Sequence, residues 1–214
     1  MRIAVLASGR GSNLTALIKA IEQGRLTGKI LLVMSNKTEA GALQVARQHG
    51  IPSRHLTLEQ FDTQETFDNA FLDALAEHQV NMIALAGYLK RISPAVIHRY
   101  KNRILNIHPA LLPAFGGKGM YGKRVHQAVL DYGCRVTGVT VHLVDEEYDT
   151  GPPVLQRCVP VEQGDTVESL AARVLEQEHL IYAEALQLFA EKRVDIQGRR
   201  VHINPPSAAR ELPS

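Results

Sequence analysis

Residues 2–24 read RIAVLASGRGSNLTALIKAIEQG. The run RIAVLA is continuously apolar, as a strand buried on both faces requires. SGRGSN interrupts it, with Gly9 and Gly11 free to turn tightly. Leu14, Leu17, Ile18 and Ile21 follow at helical spacing, and Gly24 stops the helix. A strand, a glycine turn and a helix in that order open an α/β unit.

The same rhythm continues along the chain. KILLVMS, from Lys29, predicts a second buried strand, and TEAGALQVARQHG a helix with Thr38 as cap and Gly50 as stop. PSRHLTL begins at a proline and reads as a weaker edge strand. In QETFDNAFLDALAEHQ, Phe67, Phe71, Leu72 and Leu75 share a helical face. VNMIALAGYL is the most buried strand by composition. SPAVIHRY is a short helix capped by Ser93, and RILNI the next strand. Residues 109–124 then hold four glycines and two prolines with no period. A long structureless loop in a compact domain is usually functional or mobile. VHQAVLDYG resumes as helix, RVTGVTVHLV and VLQRCVPV as strands, residues 166–193 as one long amphipathic helix, and VDIQGRRVHI as a hairpin. The expected fold is α/β: a Rossmann-like, mostly parallel sheet with helices on both faces. One domain is expected over residues 1–204, with a loose tail over 205–214. Ligands of such sheets bind beyond the carboxyl ends of strands, which draws attention to 8–13, 106–124 and 144–151.

Bulk properties narrow the partners. A net charge of +2 with no concentrated basic stripe argues against nucleic acid. No apolar stretch approaches a membrane span, and the apolar start is too short for a secretory signal. The two cysteines, Cys134 and Cys158, have no metal-ligand spacing, so a reduced cytoplasmic setting and no metal are expected.

Two clusters carry chemistry. At the glycine turn, Ser12 and Asn13 are good helix caps, and the helix start offers free N–H groups to an anion. Leu14 stands where a dinucleotide fingerprint needs glycine, and Ser35 and Asn36 stand where it wants an acid. A single sugar phosphate fits better; a plain packing turn is the alternative. The second cluster is Asn106 and His108, at the mouth of a buried strand with Pro109 directly after. An amide and an imidazole there can hold a carbonyl oxygen that turns anionic. A carboxylate is wanted beside the ring; Asp145, Glu146, Glu147 and Asp149 are candidates that spacing does not separate. No serine elbow or activated cysteine is present, so direct transfer to an amine fits better than a covalent intermediate. His126 has no partner visible in the sequence. His142 alternates with Val141 and Leu143 and reads as a satisfied core histidine.

SGRGSNL, SNK, LAGYL, LNIHPALLP, TVHLVDEEYDTGP and EQEHLIY occur in that order. Together they resemble the glycinamide branch of the folate-dependent formyltransferase family, the phosphoribosylglycinamide formyltransferases of purine synthesis, over residues 1 to about 190. The resemblance implies transfer of a formyl group from 10-formyltetrahydrofolate, a co-substrate, to the amine of glycinamide ribonucleotide. It implies that Gly11, Ser12, Asn13 and Leu14 bind the phosphate and that Glu178 meets the glycinamide end. It implies that Asn106 and His108 hold the formyl oxygen with support from Asp149. Leu89, Lys90, Arg91, Ile92, Val144 and Asp145, with Asn106 and Asp149, would wall the folate pocket. Neither nucleic acid nor membrane is expected as a partner, and a homodimer is left open. Lys90 and Arg91 depart from the family's arginine followed by an aliphatic residue, Gln64 from a basic residue near the folate tail, and Leu175 from a glutamine. Lys118, Lys123 and Arg124 are placed to close over an anionic substrate; solvated charges are the plainer alternative. Hydrolytic relatives carry an extra amino-terminal domain and tRNA-formylating relatives an extra carboxyl-terminal one, for which no room is expected here. A silent sugar-phosphate sensor is the rival from another class.

Overall fold

The computed structural model describes residues 1–206. Most of the expected tail, 205–214, therefore lies outside the described residues. β1 (Arg2–Leu6) takes the middle of a seven-stranded sheet because its side chains are buried on both faces. Ile3 and Val5 point into one core layer, and Ala4 and Leu6 into the other. That alternation is the period of two expected of a strand. The first layer is closed by α1 (Ser12–Glu22), α2 (Gly41–Gln48), α5 (Lys123–Asp131) and α6 (Val167–Ala190). The second is closed by α3 (Gln64–Glu77) and α4 (Pro94–Arg99). Each fully buried aliphatic side chain in these layers contributes about 1.5–3 kcal/mol relative to exposure.

β2 (Lys29–Ser35), β3 (Ser53–His55), β4 (Met82–Leu85) and β5 (Ile104–His108) complete a parallel block in the order β3-β2-β1-β4-β5. Here the chain departs from the expectation of loops all leaving carboxyl ends on one side. β6 (Val136–Leu143) runs antiparallel to β5, and β7 (Pro153–Pro160) antiparallel to β6. Residues 144–151 thus leave β6 beside the start of β5, where the Val144 N–H donates to the Ile104 carbonyl at 3.0 Å. They reach the site only by doubling back. Gly151 makes this return, since a Cβ there would lie 1.8 Å from the Leu143 carbonyl oxygen.

Local details also differ. The cap of α1 is Gly11, at φ 87°, with Ser12 already inside the helix. α2 starts at Gly41 after Ala40, so Thr38 is not its cap. Ser93 does cap α4, accepting from the Val96 N–H at 3.4 Å. The long loop holds no helix or strand until α5 begins at Lys123. Tyr182 of α6, fully buried, sets its hydroxyl 2.9 Å from the Leu85 carbonyl and 3.1 Å from that of Leu105. It thereby ties together the two strand ends beneath Asn106. The hairpin is β8 (Val194–Gln197) with β9 (Arg200–Ile203).

Candidate active site

One cleft of about 790 Å³ runs along the carboxyl ends of the parallel strands, in the size range of small-molecule sites. Its walls are the glycine turn 8–13, residues 85–92, the end of β5, the loop around 117–126, the turn 144–149 and one face of α6.

At the glycine-turn end, Gly11 is glycine for two reasons. Its φ is positive, and a Cβ would sit 2.8 Å from the Ala42 backbone. That glycine serves packing. Gly9 does not: nothing lies within 4 Å of its missing Cβ, and it faces the cleft. No side chain caps α1. The first N–H groups of the helix therefore have no side-chain acceptor, with the positive end of the helix dipole behind them. Ser12 and Asn13 line the cleft, whereas the Leu14 side chain is wholly buried in the core and offers only its backbone.

At the other end, β5 presents Asn106 and His108 side by side along its last turn of pleat. His108 is 3% exposed, and both ring nitrogens face acceptors. Nε2 lies 2.8 Å from the Phe115 carbonyl, so it carries a proton and donates. Nδ1 lies 3.5 Å from the Asp149 carboxylate. The ring is thus held from behind through Nε2, with Nδ1 turned to Asp149. Asp149 has φ 58°, a left-handed conformation that Asp tolerates better than most residues. Its carboxylate accepts the Gly117 N–H at 2.9 Å. Of the four candidate acids, the return of the 144–151 turn brings this one to the ring.

The geometry adds a residue that sequence alternation disguised. His142 is buried and hydrogen-bonded, as a core histidine should be, but its partner is Asn106. Its Nδ1 lies 2.8 Å from the Leu143 carbonyl, so the proton is on Nδ1 and Nε2 is a bare acceptor in the neutral ring. Asn106 Nδ2, 3.0 Å away, donates to it. That fixes which way the amide points. The second N–H of Asn106 remains near Asp149, 3.5 Å from Nδ2, at the edge of the cleft.

Electrostatics separate the ionisable groups. Burial pulls the His108 pKa below the ordinary imidazole value, opposed by the Asp149 charge and the Phe115 carbonyl. Burial would raise Asp149, but the His142 and His108 rings beside it and the Gly117 N–H hold it below the usual carboxylate range. Glu178, on α6, goes the other way. Burial raises it, and only the Asn13 side chain, donating at 2.8 Å, opposes this. Asn13 Oδ1 is buried without a partner. His126 of α5 lines the cleft, is 4% exposed and leaves Nδ1 unpartnered.

The expected folate wall is also on the cleft: Leu89, Lys90, Arg91, Ile92, Val144 and Asp145 all line it. The Leu89 N–H donates to Ser8 Oγ at 2.9 Å, which ties this wall to the glycine turn. Lys90 pairs with Glu59 and Arg91 with Glu147, all four exposed. Gln64 is not on the cleft and donates instead to Asp68. Leu175 lines the α6 wall. Lys118 lines the cleft, and Lys123 pairs with Glu168 at 2.7 Å on the exposed surface. Among the described residues no group of three His, Cys, Asp or Glu side chains could hold a metal ion, and no helix is long and apolar enough to cross a membrane.

The chain matches the formyl transferase family over residues 1–186. A chloroplastic phosphoribosylglycinamide formyltransferase of Vigna unguiculata is 44% identical over 193 residues, 90% of this chain and 62% of that protein. The chain thus spans less than two thirds of that relative's length. The phosphoribosylglycinamide formyltransferase of Escherichia coli (strain K12) is 39% identical over 194 residues, 91% of this chain and 89% of its own. The crystal structure of glycinamide ribonucleotide transformylase 1 from Symbiobacterium toebii superposes with a TM-score of 0.89 at 41% identity, covering 96% of this chain and 94% of that one.

Proposed function

The chain belongs to the formyl transferase family, and from that premise we propose that it transfers the formyl group of 10-formyltetrahydrofolate to the amine of 5'-phosphoribosylglycinamide, in purine synthesis and in the cytoplasm. The observation that carries the reading is the meeting of Asn106, His108 and Asp149, with His108 Nδ1 3.5 Å from Asp149, at the rim of a cleft whose far end is an uncapped helix start. Residues 1–204 act as one domain in this reading.

The α1 N-terminus receives the phosphate, where charge-assisted hydrogen bonds are worth about 1.5–3 kcal/mol each. Glu178, beside Asn13, takes the glycinamide end. Residues 89–92 and 144–145 hold the folate. The amine attacks the formyl carbon, one C–N bond forms, and the carbonyl oxygen becomes an oxyanion. The Asn106 N–H that rests near Asp149 and the Nδ1–H of the charged His108 ring turn to that oxygen. Asp149 stabilises the imidazolium and relays the proton lost by the amine, through water, toward the folate nitrogen as the old C–N bond breaks.

Removing one such donor typically costs about 10²–10³ in kcat. His108→Ala is therefore expected to lose at least that in an absorbance assay for tetrahydrofolate, while binding of a phosphosugar amine survives. Tetrahydrofolate release that needs no glycinamide ribonucleotide would identify a hydrolase instead. A wild-type protein that binds the phosphosugar but moves no formyl group would identify a sensor.

A further inference from the structure

The β8–β9 hairpin lies beyond residue 186, where the family match ends, yet it touches the turn that carries Asp149. Arg199 stands next to Gly198, which has φ 60°, at the hairpin's tip. Its Nη2 donates to the Thr150 carbonyl at 2.8 Å. Thr150 directly follows Asp149. The hairpin rests on the main core through Ile196 and Val201, and the Asn204 N–H closes its base on the Arg193 carbonyl at 2.7 Å. The arginine is therefore presented from a fixed support.

The turn has need of one. Thr150 Oγ1 bonds Asp145 at 2.5 Å and the Glu147 carbonyl at 3.3 Å, which are ties within the turn itself. Its links beyond itself are the Val144 N–H on the Ile104 carbonyl, the exposed Arg91–Glu147 pair, the Asp149 carboxylate among Gly117, Asn106, His108 and His142, and, after Asp149, Arg199 on the Thr150 carbonyl. The Thr150 carbonyl belongs to the residue directly after Asp149, so its anchor bears on the left-handed Asp149 backbone.

We propose that Arg199 is a positioning residue for the transfer reaction: by fixing the Thr150 carbonyl, it sets where the Asp149 carboxylate stands relative to His108. The kinetic part rests on the formyl-transfer reading; the geometric part does not. The titratable groups facing His108 are Asp149 from the turn, His142 from β6 and His126 from α5. Asp149 alone among them pushes the ring toward its charged form.

The test uses the full chain and follows the His108 ring by NMR across pH, beside steady-state kinetics. Arg199→Met keeps the aliphatic stem and removes the donors; Arg199→Lys keeps one. In Arg199→Met the His108 midpoint should fall, and the basic limb of kcat should move to lower pH. kcat should drop about tenfold, less than the 10²-fold that a 1 Å misplacement can cost. KM for both substrates should barely change, and Arg199→Lys should recover both signals. If Arg199→Met does not fold, Arg199→Gln, too short to reach Thr150, replaces it. An unchanged His108 midpoint overturns the proposal, including the case where the melting temperature falls but the midpoint stays. A wild-type chain that moves no formyl group, with a midpoint that still shifts in Arg199→Met, overturns the formyl-transfer reading and leaves the positioning role standing.

Discussion

Asp149 and Glu178 are carboxylates of one cleft, both largely buried, and they are kept in opposite condition. Asp149 has polar groups on several sides: the Gly117 N–H and the Asn106 amide donate to it, and the His108 and His142 rings each lie 3.5 Å away. Glu178 has one, Asn13, whose own oxygen is buried and unpaired. Accordingly Asp149 is held below the usual carboxylate range and Glu178 above it. The difference teaches which end of the cleft is complete as folded. The Asp149 end is preorganised, as a site proposed to meet charge that develops during reaction should be. The Glu178 end is short of a partner, as a site for a cationic or N–H-bearing ligand should be. A buried carboxylate with a single hydrogen bond costs stability until something binds it.

Breaking the preorganised end should do the most damage. Asp149→Asn is expected to lower kcat by about 10²-fold, the scale for removing one preorganised electrostatic partner. The sign of its pH effect is fixed. Asp149 raises His108 against burial, so without it the imidazolium is lost at lower pH and the basic limb of the kcat profile moves down. Its stability effect has a sign too. A depressed carboxylate stabilises the fold above its ordinary pKa, and that contribution is lost as pH falls through the folded value. Acid unfolding of Asp149→Asn, followed by circular dichroism, should lack that component.

Gly151→Ala attacks the same end indirectly, since its Cβ would meet the Leu143 carbonyl at 1.8 Å. We expect a loss of about 1–3 kcal/mol from overpacking, read from urea midpoints. A drop in kcat of about 10- to 100-fold should accompany it as the turn is displaced. Full activity in this variant would mean that the turn's path does not matter.

Glu178→Gln should sharpen the contrast by giving opposite signs for stability and function. KM for the amine substrate should rise about tenfold, the equivalent of one lost charge-assisted hydrogen bond. The fold should gain about 1 kcal/mol at neutral pH, because a buried carboxylate with too few donors is removed. A raised carboxyl disfavours the fold more as pH rises through the folded value, so the gain should vanish below the ordinary carboxylate pKa. Melting curves at two pH values read this. Lys123→Ala should do least. Its pair with Glu168 is exposed on both sides, and such pairs are worth about 0–1 kcal/mol. An unchanged KM for the phosphorylated substrate is expected.

Much of this was legible in the residues. The apolar runs marked β1, β2, β4 and β5, and a helical period marked α3 and α6, because burial on two faces and on one stripe write different patterns. Asn106 and His108 were visible because polar side chains at the end of a buried strand demand a reason. What the chain hid was orientation. Nothing in RVTGVTVHLV says that β6 runs antiparallel to β5, since an apolar run reads the same in both directions. Spacing left Asp149 as one of four acids, and only the family resemblance singled it out; in the fold a positive φ and the close passage of Gly151 under Leu143 bring it to the ring, neither of which spacing reports. His142 looked like core because it alternates with Val141 and Leu143, and its tie to Asn106 depends on β5–β6 register. Arg199 was invisible because its partner is a backbone carbonyl, which any residue could supply.

The central claim is that His108 and Asp149 act as one unit on the reacting oxygen. A double-mutant cycle in kcat/KM tests it most directly, comparing His108→Ala, Asp149→Asn and the pair. If the carboxylate works through the imidazole, the double variant should be no slower than His108→Ala alone. Losses that multiply, as for independent sites, would contradict the account.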